Sequence, residues 1–320
     1  MKFKRTFHIF VDNFSIIYKQ LLFRLIVTLI AGVISALCIY PFIRELINSS
    51  QLNELLEGAT GFIQNLLNGD VTQLGQFSQK VQDAYADFIA LLETKLTQFI
   101  LSLLLLVLVH AVSKWFTGIA NYATAALIND RMALRAKQPF LGTMISTLKE
   151  STVYNAIYVP LSILYDLAVG VAIFFLLFFL LSSVIPFLIS VFLFVLIILV
   201  SVVIKMTFTS DWLPALIRGK KGQLGAFKYT FVQKGKKPMN VASNFTVLVL
   251  IIFAVNSAAL FLTFGTGLLI TIPSSYVILI CFEFVNYYDR EGVKYFLDDN
   301  TIVCTAKEQP ASRESFFRGE

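Results

Sequence analysis

The chain has 320 residues, of which 57% are hydrophobic and 14% are charged, and its formal net charge at pH 7 is +6. This small number of charged side chains is too low to cover the surface of a soluble domain of this size. The composition therefore excludes an ordinary soluble domain and indicates a membrane protein. The net positive charge does not indicate a partner nucleic acid, because it lies beside apolar segments and is not spread over a folded basic face.

Six long apolar runs dominate the chain, and each is long enough for a helix to cross a hydrocarbon layer about 30 Å thick. They cover residues 21–43, 96–117, 161–182, 186–207, 243–264 and 267–288. The first run is too long for a signal peptide and lacks a small-residue cleavage site, so we expect it to be retained as a span. The sequence therefore predicts an all-α polytopic membrane protein, with a six-span domain over residues 1–290 and a partly disordered cytoplasmic tail over 291–320.

Short amphipathic segments precede the first, third and fifth spans. They run from Thr6 to Lys19, from Thr143 to Asn155 and from Ala226 to Asn244. We interpret them as elbow helices at the membrane interface, in three loosely repeated units that each consist of an elbow helix and a membrane hairpin.

The segment between the first two spans, residues 44–95, carries two stretches of apolar residues at helical spacing. The sequence Asn68-Gly69-Asp70 separates them, which predicts an external amphipathic helical hairpin. Its apolar stripe either caps the protein's own helices, lies on the outer membrane surface or docks a protein partner.

Positive charge sets the orientation, because Lys and Arg near the spans are retained on the cytoplasmic side. The loop from Lys205 to Lys237 has eight basic residues opposed only by Asp211, whereas residues 44–95 are rich in acids. This pattern predicts a multi-pass protein of the cell membrane with both termini in the cytoplasm. The loop lysines either act only as topology determinants or also bind anionic lipids, and the candidates are Lys220, Lys221, Lys228, Lys234, Lys236 and Lys237.

Ionisable residues inside the spans are candidates for function, because each costs about 2.5 to 3.5 kcal/mol in hydrocarbon unless it is paired or hydrated. Asp166 and Glu283 lie at a shallow depth similar to that of Arg24, Lys114 and Lys205. These groups form either a cytoplasmic-facing vestibule for an ion, a proton or an anionic headgroup, or pairs that fix helix packing.

Deeper polar residues lie on the last two spans, which the turn Gly265-Thr266-Gly267 joins. Asn256-Ser257 and Pro273-Ser274-Ser275 should meet at one depth, either as a midplane site or as hydrogen bonds between helices. The predicted polar path therefore comprises Asp166, Glu283, Asn256, Ser257, Ser274, Ser275 and His110 of the second span.

Catalytic signatures are missing from the sequence, which has no Gly-x-Ser-x-Gly, His-Glu-x-x-His, phosphate-binding loop or Gly-x-Gly-x-x-Gly motif. The three cysteines, Cys38, Cys281 and Cys304, are too far apart in sequence to suggest a disulfide framework or a metal site. The sequence therefore predicts no cofactor and no enzymatic activity.

The amphipathic N-terminal segment ending in Asn13-Phe14, the sequence Trp212-Leu213-Pro214-Ala215-Leu216 and the sequence Gly225-Ala226-Phe227 carry a family resemblance. With the six spans, the chain resembles the diverse bacterial group that includes the membrane domain of some glycerophosphodiester phosphodiesterases. The resemblance implies a fold and a location and no activity. The phosphodiesterase chemistry uses several His residues and carboxylates around a metal, whereas this chain has only His8 and His110.

Two hypotheses about function remain after the sequence analysis. The first is a noncatalytic membrane protein that binds a lipid or a protein partner in envelope assembly or regulation. The second is a transporter or permease whose substrate follows the predicted polar path.

Overall fold

The computed structural model describes residues 2–47, 83, 86, 90, 93, 96–133, 138–182, 187–219, 222–234, 238–298 and 301–303. Within these ranges, six helices are long and apolar enough to cross a membrane. The chain is thus an all-α polytopic membrane protein, as the sequence predicts. Of the predicted external hairpin, residues 44–95, only 44–47 and the helical positions 83, 86, 90 and 93 belong to the described residues.

The described helices are, in chain order, α1 (Lys2–Asp12), α2 (Phe14–Ile47), α3 (Leu96–Met132), α4 (Phe140–Ser146), α5 (Leu148–Ser182), α6 (Phe187–Thr209), α7 (Trp212–Ile217), α8 (Gln223–Lys234), α9 (Pro238–Leu262) and α10 (Leu268–Glu291). The six spans are α2, α3, α5, α6, α9 and α10. Each overlaps one predicted apolar run, and α1, α4 and α8 precede the first, third and fifth spans as elbow helices.

All three elbow helices are shorter than the sequence predicts, because the helices that follow them begin earlier than the apolar runs. The side-chain amide Nδ2 of Asn13 donates to the carbonyl oxygen of Ile9 at 2.8 Å, where α1 ends and α2 begins. The third span, α5, begins at Leu148, and its first turns bury Ser151 and Tyr154 against other helices. The start of α5 therefore packs inside the protein and does not lie on the membrane surface. The apolar run, which begins at residue 161, consequently underestimates the length of α5.

Two compact units divide the chain. The first comprises Met1–Ile26, Trp115–Leu177 and Pro186–Glu320, and the second comprises Val27–Lys114 and Phe178–Ile185. The second unit exposes large apolar side chains along α2 and α3, including Leu37 and Leu104, which are 69% and 61% exposed. Such a surface suits a helix whose solvent is hydrocarbon.

The core of the first unit surrounds the C-terminal half of α10, where every residue from Ile280 to Tyr288 is buried. The helix α1 packs on α10, and α9 packs on both α6 and α10. A buried hydrogen bond from the hydroxyl of Tyr288 to the side-chain oxygen of Asn129, 3.0 Å long, ties α10 to α3.

A short β-hairpin follows α10 and joins this core, which the sequence analysis does not anticipate. Gly292 ends the helix with a left-handed φ of 73°, and β1 (Tyr295–Phe296) then pairs antiparallel with β2 (Ile302–Val303). The hydroxyl of Tyr295 donates to Asp289 at 3.0 Å. Burial, and then the carboxylate of Asp289, raise the pKa of Tyr295. The start of the predicted tail is therefore part of the folded unit.

Candidate functional site

A cavity of about 320 Å³ lies in the first unit, between α5, α6, α7 and α8. Its apolar walls are formed by Tyr158, Leu161, Tyr165, Phe208, Trp212 and Phe227. The polar side chains of Ser162, Lys205 and Thr209 complete the lining. The helices α5 and α6 are candidate spans, α7 follows directly after α6, and α8 precedes the fifth span. The cavity therefore lies where two spans meet the segment that connects the fourth span to the fifth.

Trp212 is the centre of the aromatic wall. Its ring centroid lies 4.8 Å from that of Phe227 and 5.3 Å from that of Tyr154, and both contacts are edge to face. The residue is only 2% exposed, so it packs inside the protein, although its position at the end of a span is typical of a headgroup-facing tryptophan. Edge-to-face aromatic contacts stabilise and stiffen such a wall.

Lys205 and Asp166 form an ion pair at the edge of the cavity, with 2.7 Å between Nζ and Oδ1. The Lys205 side chain is 18% exposed and that of Asp166 is 39% exposed. The ammonium group also lies 5.8 Å from the ring centroid of Tyr165. The pair joins α5 to α6 and compensates both charges within the spans, which fits a packing role for Asp166 as well as a role in a vestibule.

Tyr154 and Tyr158 are neighbours on one face of α5, and their rings stack with 5.2 Å between centroids. Tyr158 also lines the cavity, and its ring meets that of Trp212 edge to face with 6.1 Å between centroids. Glu283 of α10 is 9% exposed. The sequence analysis misses both tyrosines, although a signal is present. Tyr154, Tyr158 and Tyr165 are spaced by four and seven residues, which places them on one helix face.

The deeper polar residues form a direct contact between α9 and α10. The amide Nδ2 of Asn256 donates to the hydroxyl oxygen of Ser275 at 3.1 Å. The hydroxyl of Ser274 instead donates to the carbonyl oxygen of Ile270 in its own helix, and Ser257 is half-buried next to Asn256. His110 lies in α3, in the second compact unit, where it is exposed.

The predicted lipid-binding lysines are only partly described. Lys228 is exposed on α8, and Lys234 ends that helix. Lys220, Lys221, Lys236 and Lys237 lie outside the described residues. Tyr229, next to Lys228, donates a hydrogen bond from its hydroxyl to the carboxylate of Glu291. Burial, and then this hydrogen bond, raise the pKa of Tyr229.

Two of the residues that carry the family resemblance, Trp212 and Phe227, line the cavity. Trp212 to Leu216 form most of α7 and are buried, and Phe227 of α8 contacts Trp212. No family model matches the chain, and neither a curated protein nor a solved structure matches it. In the described part of the chain, no three His, Cys, Asp or Glu residues lie close enough together to hold a metal ion.

Proposed function

We propose that this integral membrane protein is noncatalytic and binds the apolar chain of a lipid in the cavity between α5, α6, α7 and α8. The cavity itself carries this proposal. Its volume falls at the lower end of the range for small-molecule sites, about 300 to 1,000 Å³, and aromatic and aliphatic side chains dominate its walls. An apolar cavity of this kind favours hydrocarbon over water.

The charges at the edge support a lipid with a polar headgroup. Lys205 lines the cavity and is also paired with the partly exposed Asp166. A phosphate group at the edge would gain a charge-assisted hydrogen bond from the ammonium group while the chain fills the aromatic wall. This proposal places the protein in the cell membrane with both termini in the cytoplasm, where the positive charge of the loops also attracts anionic lipids.

Filling the cavity tests the proposal. Ser162 lines the cavity and is 5% exposed, whereas Leu164 on the same helix is 64% exposed. We expect Ser162→Phe to lose the lipid that the wild-type protein retains after gentle purification, as counted by native mass spectrometry, while Leu164→Phe retains it. Thermal unfolding in the same detergent checks that both variants fold. A folded Ser162→Phe variant that retains as much lipid as the wild type would contradict the proposal.

A transporter is the second candidate, because Asp166 and the buried Glu283 are acids within the spans, where an ionisable group is by default a hypothesis for a functional site. This hypothesis predicts that Asp166→Asn and Glu283→Gln abolish proton uptake into proteoliposomes while the folded yield is unchanged. Asp12→Asn, in the elbow helix α1, is the control. Loss of folded protein in both acid variants would instead identify these acids as structural.

A further inference from the structure

A second polar group lies in the first unit where α2, α3 and α10 meet. Arg24 donates from Nη2 to the side-chain oxygen of Asn121 at 2.6 Å, and the central carbon of its guanidinium lies 3.6 Å from the ring centroid of Tyr276. Gln20, one turn earlier on α2, donates from Nε2 to the same oxygen of Asn121 at 2.9 Å. Arg24 and Gln20 therefore converge on one point and are held from two other helices.

Within the described ranges, Arg24 has no acid beside it, which distinguishes it from Lys205 and Arg290. Lys205 pairs with Asp166 and Arg290 pairs with Asp211, each at 2.7 Å. Among the described residues, no carboxylate lies within 4.0 Å of Arg24. A guanidinium cannot lose its proton in a protein, so its charge persists at any relevant pH. An ionisable residue inside a span is by default a hypothesis for a functional site.

Two atoms of this group are also buried without a hydrogen-bond partner. They are the donor Nε of Arg24 and the acceptor Oε1 of Gln20, and Gln20 as a whole is 0% exposed. A buried polar atom that stays unpaired is costly, so a ligand that satisfies both atoms gains their desolvation cost as affinity. Such a ligand must offer an acceptor to Arg24, for which an anionic oxygen is the strongest, and an N–H or O–H donor to Gln20.

We propose that Arg24 and Gln20, supported by Asn121 and Tyr276, bind the phosphate group of a phosphomonoester. A singly protonated phosphate carries both the anionic oxygens and the O–H group, and the planar guanidinium is suited to phosphate recognition. Tyr276 is 38% exposed and Arg24 is half-buried, so the guanidinium group can be reached from outside the helices. The unpaired atoms Nε and Oε1 are themselves buried, so the ligand reaches them only when the side chains of Arg24 and Gln20 reorient. The ligand is either a lipid such as phosphatidic acid or free phosphate. This site shares no lining residue with the cavity and does not depend on the lipid proposed there.

Binding measurements on the full chain in phosphatidylcholine nanodiscs test the site. One arm titrates inorganic phosphate by calorimetry, and the other counts phosphatidic acid retained from mixed nanodiscs by native mass spectrometry. We expect Arg24→Gln to weaken binding about tenfold or more, because it removes a charge-assisted hydrogen bond. Lys19→Gln, an exposed cation on the same helix, changes the net charge equally and should leave binding unchanged. Binding in the lipid arm alone identifies a headgroup, and binding in both arms identifies the phosphate itself.

Gln20→Glu provides an independent variant should Arg24→Gln fail to fold. The new carboxylate lies one turn from Arg24 and would pair with it, so we expect a folded protein that no longer binds phosphate. Sulfate, which carries no O–H group near neutral pH, should bind the wild type about tenfold more weakly than phosphate. Unchanged phosphate binding in a folded Arg24→Gln or Gln20→Glu variant would overturn the site, and equal binding of sulfate would overturn the role of Gln20.

Discussion

Replacing Arg290 by Met should destabilise the protein far more than replacing Lys205 by Met, although both cations lie 2.7 Å from a carboxylate oxygen. The difference lies in the acids that remain. Asp211 is 2% exposed and would be left as a buried charge, which costs about 3 to 5 kcal/mol. The Asp166 side chain is 39% exposed and is predicted to lie at a shallow depth, where water can reach it, so its loss of a partner should cost about 1 kcal/mol or less.

A double-mutant cycle on each pair measures this difference. The free energy of unfolding is obtained by denaturant titration in mixed micelles for each single variant and for the double variants Asp211→Asn/Arg290→Met and Asp166→Asn/Lys205→Met. We expect the first cycle to give a coupling energy several times larger than the second, because removing both partners of the buried pair also removes the stranded charge. Lys19→Met, an exposed cation on α2, controls for the change in net charge.

Equal coupling energies in the two cycles, or a larger one for Lys205 and Asp166, would refute this reasoning from burial. The expected result would also bear on function. Because the ion pair of Lys205 and Asp166 contributes little to folding, Lys205 can exchange Asp166 for a headgroup that reaches the edge of the cavity. The ion pair of Asp211 and Arg290 must instead stay intact to keep the fold stable.

Two further predictions concern the fold and the threading. Tyr288→Phe should lower the free energy of unfolding by about 1 to 3 kcal/mol, because the oxygen of Asn129 loses its buried donor, while Tyr18→Phe at an exposed position should have no effect in the same unfolding titration. In intact cells, a cysteine at position 75 should react with an impermeant maleimide and one at position 235 should not, in a chain whose three native cysteines are replaced by Ser. The opposite labelling pattern would show that the proposed orientation is wrong and that the termini lie outside the cytoplasm.

The sequence alone was sufficient to predict the six spans, because hydrocarbon imposes a length and an apolar composition that few other structures share. It also indicated that Asn256 and Ser275 would meet, since the short turn at Gly265 makes α9 and α10 antiparallel neighbours. Hydropathy could not show where α5 begins. Its first turns, near Tyr154, are mixed in polarity and are buried by other helices, which a linear scan reads as a surface segment.

The cavity could not be predicted from the sequence for a related reason. Its walls come from four helices, and a scan along the chain contains no information on which helix faces oppose each other. Trp212 shows the difficulty, because its place at the end of a span suggests a headgroup contact, yet it is buried against Tyr154 and Phe227. The tyrosine spacing on α5 reveals a shared face, and only the fold shows what that face contacts.

The intramembrane polar contacts suggest why the three membrane hairpins hold together. One polar contact joins the two spans of each predicted unit. Arg24 contacts Asn121 between α2 and α3, and Lys205 contacts Asp166 between α5 and α6. Asn256 contacts Ser275 between α9 and α10. Because lipid tails are as apolar as the spans, the hydrophobic effect does not drive association between the spans. Side-chain hydrogen bonds and close packing stabilise that association instead. Each unit therefore has its own polar contact between its two spans. The first two contacts include Arg24 and Lys205, the cations proposed to bind phosphate or a lipid headgroup. A ligand bound there would compete with the contact that holds the two spans of that unit together.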